Sequence, residues 1–437
     1  MEPFDTSTPA VVFKLDPNVL HHGGLGVIRS LGRRGVPVFA VHEDTLAPAA
    51  HSRYVRGRWL WSPDPEDVEA IQYGLAEVAQ RLRRPAVLIP TDDAAAIFLA
   101  EHGDPLRPWF RFAQPPAELP RQLAGKYSMY QVCRRLGVPC PEAALVRTWG
   151  EALEFAGRVG FPLVAKLAAP WRARPGGVRS TSIVDDVDEL AELGRRCVED
   201  GAGELMLQEY IPGGEEYDWF FHGYCDGESV CRPAFTGVKE RSYPAHVGLT
   251  SFGRCAENEE VRREATALLA RLSFRGIVDL DFRWDDRDGR YKLLDFNPRL
   301  GAQFRLFQDS AGVDVALASY LDLTGQRVEA GEQPVGRRFL VENYDPIAAV
   351  RYWRDGDLGW RSWWRSVRGA DETAWFARDD LLPFALMWLW MVCRAVTRPW
   401  RRRTRHPDLA APEYLPGRAG VWNGASGRLE RLFQGGV

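Results

Sequence analysis

Residues 276–304 read GIVDLDFRWDDRDGRYKLLDFNPRLGAQF. Apolar residues alternate from Ile277 to Trp284 and again from Tyr291 to Phe296, with Asp-Asp-Arg-Asp-Gly between them. This pattern predicts two strands joined by a tight polar turn. Asp281 falls on the first strand, and Asp295 and Asn297 close the second. Residues two apart on a strand project from one face, so Asp295 and Asn297 leave together. Asp281 is in reach of that face from the neighbouring strand. Two carboxylates and an amide oxygen on a rigid sheet are hard oxygen ligands suited to Mg²⁺, with Mn²⁺ as a substitute. Arg299 follows two residues later, placed for an anionic group that the metal also touches. The plain alternative is a solvated hairpin, and Asp285, Asp286 and Asp288 read that way. It accounts less well for Asp295 and Asn297, which interrupt an apolar run where a buried strand should end.

The rest of the chain sets the frame. At 437 residues it has room for several domains and substantial cores. Apolar content of 45% and charged content of 26% are those of a soluble globular protein. A net charge of −3 gives no global basic field for nucleic acid. Seven cysteines, an odd number without a C-x-x-C pair, argue against a disulfide framework or zinc site and suit a reducing cytoplasm. They read as packing residues. The first fifteen residues lack the basic-then-apolar pattern of a signal peptide. Arginine dominates the basic residues, and lysine occurs only at 14, 126, 166, 239 and 292. A compact ammonium suits a tight phosphate site better than a broad guanidinium, so the retained lysines invite attention.

Residues 1–113 alternate strands and helices and predict a small parallel α/β domain. Its Gly23-Gly24-x-Gly26 turn lacks the full dinucleotide pattern, so a tight strand-to-helix connection and a ligand contact stand as equal readings. Thr91-Asp92-Asp93 sits past a strand's carboxyl end, where such sheets bind ligands, although Asp93 serves equally as a helix N-cap. Lys126 opens a helix running to Leu136. Lys166 lies inside the apolar strand FPLVAKLA, where a lysine is costly unless paired with an anion. The Gly- and Arg-containing loop over 168–182 either covers phosphates or lies in solvent. Two strands then flank Pro-Gly-Gly, with Glu209 before it and Glu216 after it.

In chain order, Lys126, Lys166, Glu209, Glu216, Asp281, Asp295 and Asn297-Pro298-Arg299 resemble the motif series of the ATP-grasp superfamily. The stretches LGVIRSLGRRGVPVFAV and KYSMYQVCRRLGVPCPE are similar to the bacterial carboxylate–amine ligases grouped with D-aspartate ligase. The resemblance implies an α/β and α+β protein. An N-terminal Rossmann-like domain over 1–113 would precede an ATP-grasp domain over 114–330 with a hinge near 205–217. A helical, Trp- and Arg-rich extension would follow over 331–437. It implies that Lys126 and Lys166 contact ATP phosphates, that Glu209, Tyr210 and Ile211 meet the adenine edge, and that Glu216 holds the ribose. Asp281, Asp295 and Asn297 would hold Mg²⁺, while Arg299 and the Gly301 backbone face the transferred phosphoryl group. Asp295 stands where the family more commonly has glutamate, one methylene longer. The segment over 237–253 would help form the acceptor site, with Lys239, Arg241, His246 and Ser251 as candidates.

The implied activity is ATP-dependent coupling of a small-molecule carboxylate to an amine. An ATP-grasp kinase and a nucleotide-binding regulatory protein are the rivals. In the last hundred residues, LLPFALMWLWMVCRAV followed by TRPWRRRTRHP is too short for a confident membrane span. It predicts a helix near 380–403 that either packs on the body or rests on an anionic membrane surface through Trp388, Trp390, Trp400, Arg398 and Arg401–Arg403. The expected location is the cytoplasm, with or without attachment to the inner face of the cell membrane.

Overall fold

A computed structural model describes residues 4–172, 178–201, 203–329, 331–397 and 411–417. The chain forms two compact units, Met1–Phe112 with Tyr320–Arg327 and Ala374–Val437, and Ala113–Ser319 with Val328–Thr373.

The first unit is built on a six-stranded sheet. Val55–Leu60, Val38–His42, Ala10–Phe13, Ala86–Pro90 and Phe110–Arg111 run parallel in that spatial order. The central strand AVVF is buried on both faces, as parallel sheets covered by helices require. Glu413–Pro416 from the far end of the chain adds an antiparallel edge beside Val55–Leu60. The glycines of GGLG do not form a turn. They lie inside the helix His22–Gly32, and Gly24 brings that helix close to Val12. The N-cap of Asp93–His102 is Asp92, whose carboxylate accepts Ala95 N at 2.9 Å and also Leu15 N at 2.7 Å. Its role there is to close a helix end and a strand end together.

The C-terminal segment is anchored to this unit by Arg29. Its guanidinium donates to Asp380 Oδ2 at 3.0 Å and to the Trp375 carbonyl at 2.7 Å. Ser52 Oγ adds a bond to Asp380 at 2.7 Å. The helix Leu382–Thr397 buries Met387 and leaves Trp388, Leu389 and Val392 exposed. Trp390 Nε1 donates to the Leu46 carbonyl at 3.0 Å. Among the described residues no helix is long and apolar enough to cross a membrane. Arg398, Trp400 and Arg401–Arg403, on which the membrane expectation drew, lie outside the described residues.

The second unit holds two sheets, antiparallel throughout except for the edge pair Arg338–Leu340 and Glu372–Thr373, which runs parallel. The smaller runs Ala143–Val146, Leu205–Glu209, Leu163–Leu167, Thr181–Val184. The amphipathic helices Trp149–Val159 and Val187–Asp200 cover it through Phe155, Leu190 and Cys197. The larger sheet has the order Arg290–Asn297, Gly276–Asp285, Asp218–Cys225, Cys231–Tyr243, Leu249–Cys255, Arg338–Leu340, Glu372–Thr373. Helices Lys126–Leu136 and Glu259–Arg271 bury its other face through Met129, Val132, Leu268 and Leu269. The two strands flanking Pro-Gly-Gly therefore belong to different sheets, and residues 210–217 carry the chain from one to the other.

Two expectations from the sequence are corrected here. Asp285 is not a solvated turn residue. It is fully buried, receives Arg287 Nη2 at 2.6 Å, and pairs with Lys292 at 2.5 Å. The Arg287 bond holds its carboxyl well below the usual carboxylate range despite burial. The cysteines are not all packing residues either. Cys225 and Cys231 are disulfide-bonded across the turn of their hairpin.

Candidate active site

The hairpin pairs Asp281 with Asp295 and Asp279 with Asn297. Cross-strand partners and residues two apart share a face, so these four side chains form one square patch. The register shifts just beyond, between Asp281 and Phe282, which leaves Leu294 as an extra residue. A bulge of this kind takes a backbone carbonyl out of the ladder. Here the Leu294 carbonyl accepts the Lys166 ammonium at 2.9 Å.

Cations surround the patch. Lys126, on the first turn of its helix, is hydrogen-bonded to Asp295. Lys239 Nζ, from the Cys231–Tyr243 strand, lies 3.4 Å from Asp281 Oδ1. Arg299 Nη1 donates to Asp279 Oδ2 at 3.2 Å. The electrostatics follow from burial and spacing. Burial pushes the Lys166 ammonium down to about 8, opposed by Asp295 and reinforced by Lys126. Burial pushes the Asp281 carboxyl up. Lys239 offsets that only in part, and Asp279 and Asp295 add to it. For Asp295, burial is outweighed by Lys126 and Lys166, and its carboxyl sits below the usual range. Among the described residues Asp281 Oδ1 has no close hydrogen bond, its nearest cation being Lys239 at 3.4 Å. A carboxylate oxygen so weakly satisfied, beside a second carboxylate and an amide, fits a hard divalent cation.

The structure thus brings together Lys126, Lys166, Asp281, Asp295, Asn297 and Arg299, all named from sequence. Lys239 joins them. Glu209 and Ile211 belong to another set, built around two arginines. Glu209 pairs with Arg287 at 2.6 Å. The Ile211 carbonyl accepts Arg283 Nε at 2.9 Å, and Arg283 Nη1 also meets Asp218 at 2.6 Å. Tyr210 is half-buried on the connection between the sheets, and Glu216 is exposed with its carboxylate over Gly214. Residues 173–177 of the Gly- and Arg-containing loop lie outside the described residues.

Arg241 departs from the expectation that it faces an acceptor. Its guanidinium is locked by Asp345 through Nε at 2.7 Å and Nη2 at 3.0 Å, over the Phe252 ring. Ser251 Oγ bonds the same carboxylate at 3.1 Å. His246 packs edge-on against Tyr352 and lies 3.4 Å from Asp355. Sequence reasoning missed Asp279 and His222. Asp279 carried a usable signal, because it precedes Asp281 by two residues and so shares its face. His222 carried none, because its nearness to Asp279 depends on the pairing of Asp218–Cys225 with Gly276–Asp285.

No protein-family model matches the chain. Over 276 residues it is 25% identical to D-aspartate ligase of Enterococcus faecium, covering 60% of this chain and 65% of that protein. The chain therefore spans just under two thirds of that relative's length. An ADP complex of N5-carboxyaminoimidazole ribonucleotide synthetase superposes with a TM-score of 0.56 at 14% identity, over 76% of this chain and 81% of the other. The biotin carboxylase domain of the Hydrogenobacter thermophilus 2-oxoglutarate carboxylase, solved with MgADP and bicarbonate, gives 0.55 at 16% identity, over 76% and 74%. The fold is that of the ATP-grasp enzymes. The small sheet with its two helices and the large sheet with its acidic patch both lie in the second unit and are joined through residues 210–217.

Proposed function

We propose that the protein is an ATP-dependent ligase that activates a carboxylate as an acyl phosphate and couples it to an amine. The observation that carries this reading is the square of Asp281, Asp295, Asp279 and Asn297 ringed by Lys126, Lys166, Lys239 and Arg299. Carboxylates and cations in such a buried cluster are imperfectly satisfied by one another, and a polyphosphate with its metal supplies the missing partners of both signs. Asp281, Asp295 and Asn297 would hold Mg²⁺, which when bound neutralises phosphate charge and fixes the γ-phosphoryl group for transfer. Lys126 and Lys166 bind phosphate oxygens. Glu209, Tyr210, Ile211 and Glu216 hold the nucleoside, and Arg299 with the Gly301 backbone orients the phosphoryl acceptor.

The chemistry balances without a nucleophilic side chain. A substrate carboxylate oxygen attacks the γ-phosphorus, and ADP leaves. The amine nitrogen then attacks the acyl carbon, phosphate leaves, and the amine gives up a proton. The likeness to D-aspartate ligase supports the amine as second substrate. Incubation with ATP, Mg²⁺, pooled carboxylates and hydroxylamine tests the reading. Hydroxamate formation with matching ADP release is expected. A stable phosphorylated product would instead make the protein a kinase, and tight nucleotide binding without turnover would make it a binding protein.

A further inference from the structure

One corner of the patch, Asp279, is paired with a buried histidine to which the metal and nucleotide reading gives no role. His222 is fully buried and Asp279 is 4% exposed. His222 Nε2 lies 2.9 Å from Asp279 Oδ1, and the Gln303 amide lies 3.3 Å from the same ring nitrogen. Phe307 packs against the imidazole with ring centroids 4.9 Å apart. The other Asp279 oxygen, Oδ2, accepts Arg299 Nη1 at 3.2 Å and Asn297 Nδ2 at 3.4 Å. The chain crosses directly over this pair at Gly301. A Cβ there would come within 2.2 Å of His222 Cε1 and 2.7 Å of Asp279 Cγ, so the crossing needs glycine.

We infer that Asp279, braced by His222, is the positioning residue that sets both the Asn297 amide and the Arg299 guanidinium for the reaction. The inference rests on the nucleotide and metal reading above. An ionised carboxylate only accepts hydrogen bonds. Facing Asp279, the Asn297 amide must present its NH₂ group, which turns its oxygen away from Asp279 and frees it as a ligand atom. The same oxygen of Asp279 ties down Arg299, whose Nη1 also reaches the Leu300 carbonyl at 3.1 Å. One carboxylate thereby fixes a metal ligand and a phosphoryl-facing cation in a single geometry. Mutating outer groups that orient ligands in this way typically costs about 10- to 100-fold in metal affinity or activity.

Calorimetry of ADP binding with and without Mg²⁺, alongside ATP turnover, tests this in the full-length protein. Asp279→Asn replaces an obligate acceptor with an amide that satisfies Asn297 in either orientation. It is expected to leave metal-free ADP affinity unchanged while reducing the Mg²⁺ enhancement and kcat by about 10- to 100-fold. His222→Gln, which keeps a polar amide facing Asp279, should keep most of both. In an Arg299→Ala background, Asp279→Asn should cost less in kcat than it does alone, because one of the two side chains it acts through is already removed. Thermal melts of each variant establish that it is folded. If Asp279→Asn folds poorly, His222→Leu, which removes the brace and leaves the carboxylate, carries the same expectation at smaller size. A wild-type Mg²⁺ enhancement in folded Asp279→Asn, or additive losses in the double variant, would overturn the inference. A wild-type protein that binds no ADP would overturn the nucleotide reading and this inference with it.

Discussion

Arg241 and the Asp281–Asp295 patch lie on the same large sheet, and the ionic clusters they belong to, the first fully buried with Asp345 and the second partly exposed, are built in opposite ways. Asp345 is saturated. Arg241 Nε and Ser251 Oγ reach its Oδ1, and Arg241 Nη2 and Trp363 Nε1 reach its Oδ2, at 2.7 to 3.1 Å. Four donors of fixed geometry leave the carboxylate nothing to offer a ligand. In the patch, among the described residues, Asp281 Oδ1 has no hydrogen bond and meets Lys239 at 3.4 Å, and the Lys166 ammonium donates to a backbone carbonyl and is pushed down to about 8 by burial. A closed network lowers the energy of the folded state. An open one carries a cost that a bound ligand can relieve, so incompleteness rather than charge density marks the candidate site.

The largest effect should come from breaking the closed cluster. Arg241→Ala strands Asp345 as a buried charge, and removing one partner of such a pair costs about 3–5 kcal/mol of stability. Chemical unfolding measures it. A folded variant with wild-type stability but no turnover would return Arg241 to the active site and break the comparison. Asp295→Ala acts on the open cluster and should do the converse. Turnover should fall by about 10³-fold through loss of a metal ligand, with the melting temperature close to wild type. Asn297→Ala should follow it. Near-normal ATP consumption by either variant would remove the metal assignment.

What the sequence revealed follows the same division. The hairpin, its face and the residues Asp281, Asp295, Asn297 and Arg299 were legible because strand periodicity fixes side-chain direction locally. Lys126 and Lys166 stood out because lysine is scarce in this chain and one of the two interrupts an apolar strand. Arg241 was misplaced because its partner is about a hundred residues away, on the helix Asp345–Asp355, and no local pattern announces that meeting. Asp285 was misread because a turn composition predicts solvent, while Arg287 and Lys292 fold back to bury it. Gly23, Gly24 and Gly26 suggested a turn by composition, yet a helix packed closely on a buried strand also selects glycine. Residues 413–416 return to the first sheet as an edge strand, a long-range pairing that a four-residue segment cannot signal.

Lys166→Ala sharpens the contrast at intermediate size. Among the described residues the wild-type ammonium donates to one neutral acceptor, the Leu294 carbonyl, so its removal should cost little stability. A hydrogen bond to a charged group is worth about 1.5–3 kcal/mol, which predicts ATP affinity weaker by about 10- to 100-fold. Calorimetry with ATP and ADP checks it, and unchanged affinity for both would give Lys166 a structural role.

The smallest effect belongs to an ion pair outside either cluster. Arg33 grips Asp379 through Nε at 2.9 Å and Nη2 at 2.8 Å, and Tyr54 adds its hydroxyl at 2.5 Å. The Arg33 bonds hold the Asp379 carboxyl below its ordinary value of 3.8, against a smaller opposing effect of burial. Such a carboxylate stabilises the fold at pH values above 3.8, and the contribution is lost as pH falls through the lowered folded-state value. The side chains are 29% and 40% exposed, so solvent screens the pair and its worth is about 0.2–1 kcal/mol. The stability gap between wild type and Arg33→Ala should therefore be small and constant from pH 7 to 5, then narrow below pH 4 as Asp379 takes up its proton. Urea unfolding across that range measures it. A gap as large as that of Arg241→Ala, or one that persists undiminished in acid, would mean that saturation and burial do not separate these pairs in the way the two clusters suggest.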